Sequence, residues 1–211
     1  MKKKIIIVDY GLGNIRSAEQ SLNRVTEEFN LNAEVKITND AKEINSATHI
    51  VLPGQGAFLS CINGLINIPG MIEELSESVL IKKKPFLGIC VGMQLLANIS
   101  YEHGEHLGLG WIEGEIKMLP KNNIKLPHMG WNEILIKTNQ NELIKDEIEY
   151  NYYFVHSYFF ECQSEENEVA VTDYGFNFSS IISKENIFGV QFHPEKSSLY
   201  GLKLLNNFIN L

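Results

Sequence analysis

The first apolar run of the chain, Ile5–Val8, is short, β-branched and uninterrupted, which predicts a strand buried on both faces. Gly11-Leu12-Gly13-Asn14 breaks it, and a helix is predicted from Ile15 to Phe29. Ala33–Ile37 and His49–Leu52 read as further strands, the second stopped by Pro53-Gly54-Gln55-Gly56. Ile72, Leu75, Val79 and Leu80 recur at helical spacing within Ile72–Ile81. Phe86–Ile89 is a fourth strand and Val91–Asn98 the helix after it. Strands alternating with helices predict a mainly parallel sheet covered on both sides. The pattern then changes. Ile112–Met118, Glu133–Ile136, Tyr152–Ser157, Val169–Asp173, Ser179–Ile182 and Ile187–Gln191 read as successive strands with short connections, an antiparallel extension of that sheet. Ser197–Ile209 closes as a helix with Leu199, Leu202, Leu205, Phe208 and Ile209 on its apolar face. No linker or repeat divides the chain, so residues 1–211 read as one domain of the α/β class.

Composition narrows the function. Lys and Arg number 18 against 26 Asp and Glu, and the net charge of −8 without a basic cluster argues against a nucleic-acid surface. The three cysteines, Cys61, Cys90 and Cys162, are odd in number and far apart, so neither a disulfide framework nor a metal site is expected. The opening "MKKKIIIVDYG" has an apolar run of only four residues before Asp9, too short for a signal peptide. The longest apolar stretch, Phe86 to Ala97, contains Gln94 and is too short to span a membrane. A cytoplasmic protein is expected.

One cysteine stands apart. Gly88-Ile89-Cys90-Val91-Gly92 falls where a strand turns into a helix, the setting of a nucleophile elbow with Cys in the place of Ser. Glycines two positions away on each side let neighbouring backbone pass close. A thiol at a helix N-terminus feels the positive end of the dipole, which favours the reactive thiolate, and the Val91 N–H points where an oxyanion would form. A buried structural cysteine is the bland alternative. A partner base decides between them.

"FGVQFHPEKS", Phe188–Ser197, supplies one. Pro194 biases His193 toward extended angles, and in an extended chain residues i and i+2 project to the same side. The Glu195 carboxylate can then accept from one ring nitrogen of His193, leaving the other for the Cys90 proton. Both segments end predicted strands, where open α/β sheets place their sites. His49, His103, His106 and His128 read as ordinary surface or core residues.

Gly88-x-Cys90-x-Gly92-x-Gln94 with His193-x-Glu195 resembles the class I, or triad, glutamine amidotransferases. "VDYGLGNIRS" (Val8–Ser17), "LPGQGAF" (Leu52–Phe58), "PHMGWN" (Pro127–Asn132), "YYFVHSY" (Tyr152–Tyr158) and "GVQFHPEKS" (Gly189–Ser197) are similar to the branch that serves histidine biosynthesis. The resemblance implies a three-layer α/β/α fold, no cofactor, and glutamine as substrate. It implies that Cys90 attacks the side-chain amide, with His193 and Glu195 completing the triad. The Val91 N–H and an N–H of Gly54, Gln55 or Gly56 would form the oxyanion hole. Gln94, Glu102, His156, Ser157 and Tyr158 would bind glutamine, with Glu102 on its α-ammonium. A partner is also implied, a cyclase subunit with a (β/α)8 barrel in a heterodimer, facing Asn14, Met129, Trp131, Tyr153 and Lys196.

Released ammonia becomes ammonium in open water and loses its nucleophilic lone pair, so an acceptor must receive it dry. With 211 residues taken up by the glutaminase fold, that acceptor is expected to be a second chain. The nearest rival reading is a related subunit feeding a different synthase, in sugar amidation or vitamin B6 synthesis. A scaffold without catalysis and a cysteine peptidase are more distant rivals.

Overall fold

The structure, a computed structural model, describes residues 2–120, 124–137, 141–145 and 150–211. The first half alternates as the apolar pattern predicts: β1 (Lys3–Val8), α1 (Ile15–Glu28), β2 (Ala33–Thr38), α2 (Ala41–Ile44), β3 (His49–Gly54), α3 (Phe58–Ile66), α4 (Met71–Ser76), β4 (Phe86–Cys90) and α5 (Val91–Gln94). The short helices α2 and α3 are additions to the sequence reading. The predicted helix over Ile72–Ile81 is α4 continued by a wider π-type turn, Glu77–Ile81.

Two short strands follow, β5 (Ile99–Ser100) and β6 (His106–Leu107), then β7 (Gly114–Met118), β8 (His128–Glu133), β9 (Leu135–Ile136), β10 (Asn151–His156), β11 (Tyr158–Cys162), β12 (Glu168–Asp173), β13 (Asn177–Lys184) and β14 (Ile187–Val190), closed by α6 (Ser198–Ile209). Among the described residues the main sheet runs β2-β1-β3-β4-β14-β13-β11-β7-β5-β6, with β12 beside β13 and β9 beside β12. Strands β2, β1, β3, β4 and β14 are mutually parallel, and β13 starts the antiparallel part. Helices α1 and α6 pack on each other, while α2, α3, α4 and α5 form a second contiguous group. The fold is therefore α/β with a mostly parallel central sheet. Among the described residues no helix is long and apolar enough to cross a membrane.

Four expectations change. The helix after Cys90 stops at Gln94 because the carbonyls of Leu95, Leu96 and Ala97 accept from Leu109, Gly110, Trp111 and Ile112 and cannot extend an α ladder. The predicted strand Glu133–Ile136 is divided between β8 and β9, with the Ile134 N–H bonded to the Tyr150 carbonyl between them. β10 does not extend the main sheet. It pairs antiparallel with β8 in a separate two-stranded sheet, and the chain passes back to the main sheet through Ser157 into β11. Leu199, expected on the apolar face of α6, is 53 % exposed in the first turn, while Leu202, Leu204, Leu205, Phe208 and Ile209 carry the buried face.

Candidate active site

β3, β4 and β14 are neighbours in the sheet, and all three end at the same edge. Gly54 pairs with Cys90, and Ile89 with Val190 three residues before His193. The segment after β3, the cysteine after β4 and the histidine after β14 therefore meet, as the crevice rule for open α/β sheets requires.

Cys90 has φ 54° and ψ −111°, left-handed φ for a non-glycine residue at the junction of β4 and α5. The turn is tight enough that a Cβ on Gly92 would lie 1.9 Å from the Leu52 carbonyl oxygen, and one on Gly88 2.5 Å from that of Gly92. Only glycine fits at either place. The strained turn, held by packing on both sides, presents the thiol at the edge of a cleft of about 260 Å³.

That cleft is lined by Cys90, His193, Val91, Gln55 and Gly56, and by all five expected glutamine-binding residues, Gln94, Glu102, His156, Ser157 and Tyr158. Gly54 lies buried just behind, itself packed against Val91 and Gly92. The Glu102 Oε2 accepts the Phe58 N–H at the start of α3 at 2.6 Å, so one carboxylate oxygen anchors that helix and the other remains for a ligand cation.

The His193 Nδ1–H donates to Glu195 Oε1 at 2.8 Å, with both side chains buried. The chain does not stay extended through Glu195. Pro194–Lys196 form a 3-10 turn, with Pro194 at its first position where a missing N–H costs nothing, and Glu195 reaches back to the ring. Asn14, expected to face a partner, donates its amide to the same Glu195 oxygen at 3.3 Å. Nε2 of His193 is buried without a hydrogen-bond partner among the described residues. Burial disfavours the imidazolium, but the Cys90 sulfur and the Glu195 carboxylate outweigh it and raise the His193 pKa to about 10.

Sequence reasoning missed a polar layer beneath the cleft. Gln191 is fully buried and directs its amide Nε2 to the Cys90 sulfur at 3.7 Å, while its Oε1 accepts from Gln94 Nε2 at 3.1 Å. Gln94 also donates to the Tyr158 carbonyl at 3.0 Å. The available signal was a glutamine inside an apolar strand, two residues before His193 and so on the same side. His128, read as ordinary, is buried behind His156. Their tautomers follow from the partners. His156 Nδ1–H donates to the Tyr158 carbonyl at 2.9 Å, so its Nε2 accepts from His128 Nδ1 at 3.0 Å, and His128 Nε2 accepts from Asn132 at 3.3 Å. Burial lowers the pKa of His156 to about 3 and that of His128 to about 4, which keeps both rings neutral.

The remaining expected residues gather on one exposed patch. Met129 and Trp131 on β8 are 64 % and 51 % exposed. Trp131 meets Tyr153 edge to face, and Lys196 lies 5.9 Å above the Tyr153 ring. The patch is wired to the histidine: the Tyr153 carbonyl accepts the His193 N–H at 2.9 Å, and Ser197 Oγ bridges the Tyr153 N–H and the His193 carbonyl.

Comparison with known proteins gives the family. The family described as glutamine amidotransferase class-I matches residues 6–211. The chain is 43% identical over 209 residues to an imidazole glycerol phosphate synthase subunit HisH of Rhodospirillum rubrum, covering 98% of each. It is 45% identical to the subunit of the same name from Pelagibacter ubique, covering 98% of this chain and 99% of that one. A solved glutamine amidotransferase structure superposes with a TM-score of 0.73 at 16% identity over 98% of this chain and 99% of that chain, which speaks for the fold. The chain belongs to the class I glutamine amidotransferases and, within them, to the group of HisH subunits of imidazole glycerol phosphate synthase.

Proposed function

We propose that this chain hydrolyses glutamine and delivers the ammonia to a (β/α)8-barrel cyclase, with which it forms a heterodimer in the cytoplasm. The cyclase would convert the ammonia and a ribulosyl-formimino nucleotide into imidazole glycerol phosphate and an aminoimidazole carboxamide ribonucleotide. The observation that carries the reading is the meeting of Cys90, the Glu195-oriented His193 and the Gln55–Gly56 backbone in one cleft.

Glutamine would enter with its α-ammonium on Glu102 and its side-chain amide at Cys90. The Cys90 thiolate attacks the amide carbon, and the negative charge on the oxygen meets the Val91 N–H and an N–H of the Gly54–Gly56 segment. His193 gives its proton to the departing ammonia, and a thioester remains. Water, activated by His193 acting as base, then releases glutamate. Glu195 holds the ring and stabilises its charged form, as the third member of a triad does. The patch around Trp131 is apolar and aromatic with a cation at its edge, the composition of an interface anchor.

The test combines the chain with a candidate cyclase. Glutamine-dependent product formation is expected, and Cys90→Ala should abolish it while leaving synthesis from added ammonium intact. Loss of both activities in a complex that still assembles would refute a separate acceptor site. Activity with a sugar-amidating or vitamin B6 synthase instead would replace the partner.

A further inference from the structure

We infer that Tyr10 and Cys61 are a pair of positioning residues that hold the backbone of the oxyanion segment from behind. The inference rests on the glutaminase reading above and deepens it. The Tyr10 hydroxyl donates to the Pro53 carbonyl at 2.7 Å, and the Cys61 thiol donates to the Gln55 carbonyl at 3.5 Å. Both groups are buried, Cys61 completely, and burial raises both pKa values, so each is in its neutral, donating form. Neither touches the cleft, and nothing in the triad chemistry requires them.

Their effect follows from peptide geometry. The two anchored carbonyls belong to the Pro53–Gly54 and Gln55–Gly56 peptides, which flank the Gly54–Gln55 peptide and carry the Gly54 and Gly56 N–H groups. A trans peptide points its C=O and N–H to opposite sides, so fixing a carbonyl also fixes the amide that shares its plane. Two carbonyl oxygens turned into the body of the protein are kept away from the place where a substrate oxygen becomes negative. Without the anchors, a glycine on each side of Gln55 gives the segment freedom to present an oxygen to the cleft. The segment is held at its far end too, where Glu102 binds the Phe58 N–H. Cys61 lies one turn along the same helix. The close packing is visible at Gly64, also on α3, where a Cβ would come within 2.8 Å of the Tyr10 ring and of its carbonyl oxygen.

The experiment measures glutaminase turnover of the chain assembled with its cyclase and that enzyme's nucleotide, for wild type, Cys61→Ala, Cys61→Ser and Tyr10→Phe. Wild-type turnover must be present first; its absence would refute the glutaminase reading and not this one. In Cys61→Ala and Tyr10→Phe, kcat should fall about tenfold with KM unchanged, short of the roughly 10²–10³ lost with an oxyanion donor itself. Serine retains a donor, so Cys61→Ser should recover most of the loss. Iodoacetamide alkylation of Cys90, read by mass spectrometry, needs no oxyanion hole and should keep its wild-type rate. An unchanged kcat in both Cys61→Ala and Tyr10→Phe overturns the inference. So does a serine variant no better than alanine, or a parallel loss of Cys90 alkylation, which would indicate general collapse of the site.

Discussion

Cys61 and Cys162 are thiols whose pKa burial pushes up, Cys162 to about 12, and a neutral thiol is a poor nucleophile. Cys90 differs in position: it sits at a helix start, beside an imidazole held by a carboxylate. A glutamine-mimicking electrophile should therefore label Cys90 and leave the other two unmodified; mass spectrometry placing the label on Cys61 or Cys162 would contradict the assignment. Glu195 offers a second test. Glu195→Gln keeps the shape but removes the charge that stabilises imidazolium, so kcat should fall by about 10²–10⁴ with little change in KM. A steady-state profile with unchanged kcat would reduce Glu195 to a structural role. Cys90, His193 and Glu195 were legible in the sequence because their relationships are local, Cys90 between two glycines and Glu195 two positions after His193. Gln191, His128, Tyr10 and Cys61 were not, since each acts through a partner at least 28 residues away or through a carbonyl whose direction only folding sets.

The strand–turn–helix formed by β4 and α5 depends on close approach to β3. A Cβ on Gly54 would lie 2.4 Å from the Gly92 amide nitrogen, so the two glycines serve one contact from opposite sides. Gly92→Ala must push back the Leu52 carbonyl, which belongs to β3, and cannot do so by moving a flexible side chain. The expected cost is about 1–3 kcal/mol or more, read as a lower urea midpoint, together with loss of glutaminase activity. A variant of wild-type stability would show that the elbow has room the geometry denies. The two-stranded β8–β10 sheet has a different role. It exposes Trp131 and Met129, while the Tyr153 carbonyl on β10 holds the His193 backbone. A partner resting on this ribbon would press on the strand that holds His193.

Across the whole molecule, pH acts through two opposed sets of histidines. His49, His128 and His156 are held neutral by burial, with pKa values lowered to about 4, 4 and 3. The unfolded chain takes up these protons below about pH 6.5 while the folded chain does not, so stability falls as pH drops from there. For His156 alone this amounts to roughly 2 kcal/mol between pH 6.5 and 5. His193 has the opposite sign. Its raised pKa stabilises fully below about pH 6.5 and that contribution is lost as pH rises toward 10. Urea midpoints measured from pH 4 to 10 should therefore decline on both sides of neutrality. A midpoint that rises from pH 6.5 to 4.5 would contradict neutral burial of the His128–His156 pair.

Sequence alone determined what depends on neighbours along the chain. β-branched runs specify buried parallel strands, Gly-x-Cys-x-Gly specifies a tight turn into a helix, and His-Pro-Glu places a carboxylate within reach of an imidazole. Tertiary structure decided what depends on segments far apart. It put β14 beside β4, so that residues 90 and 193 share an edge, and it made β10 pair with β8 instead of joining the main sheet. It also ended the helix after Cys90 early, when a loop at residues 109–112 took the carbonyls that would have continued it. The reason is common to all three. A backbone or buried polar group must find some partner, and several distant segments compete for each one, so pairing is settled only when the whole chain packs.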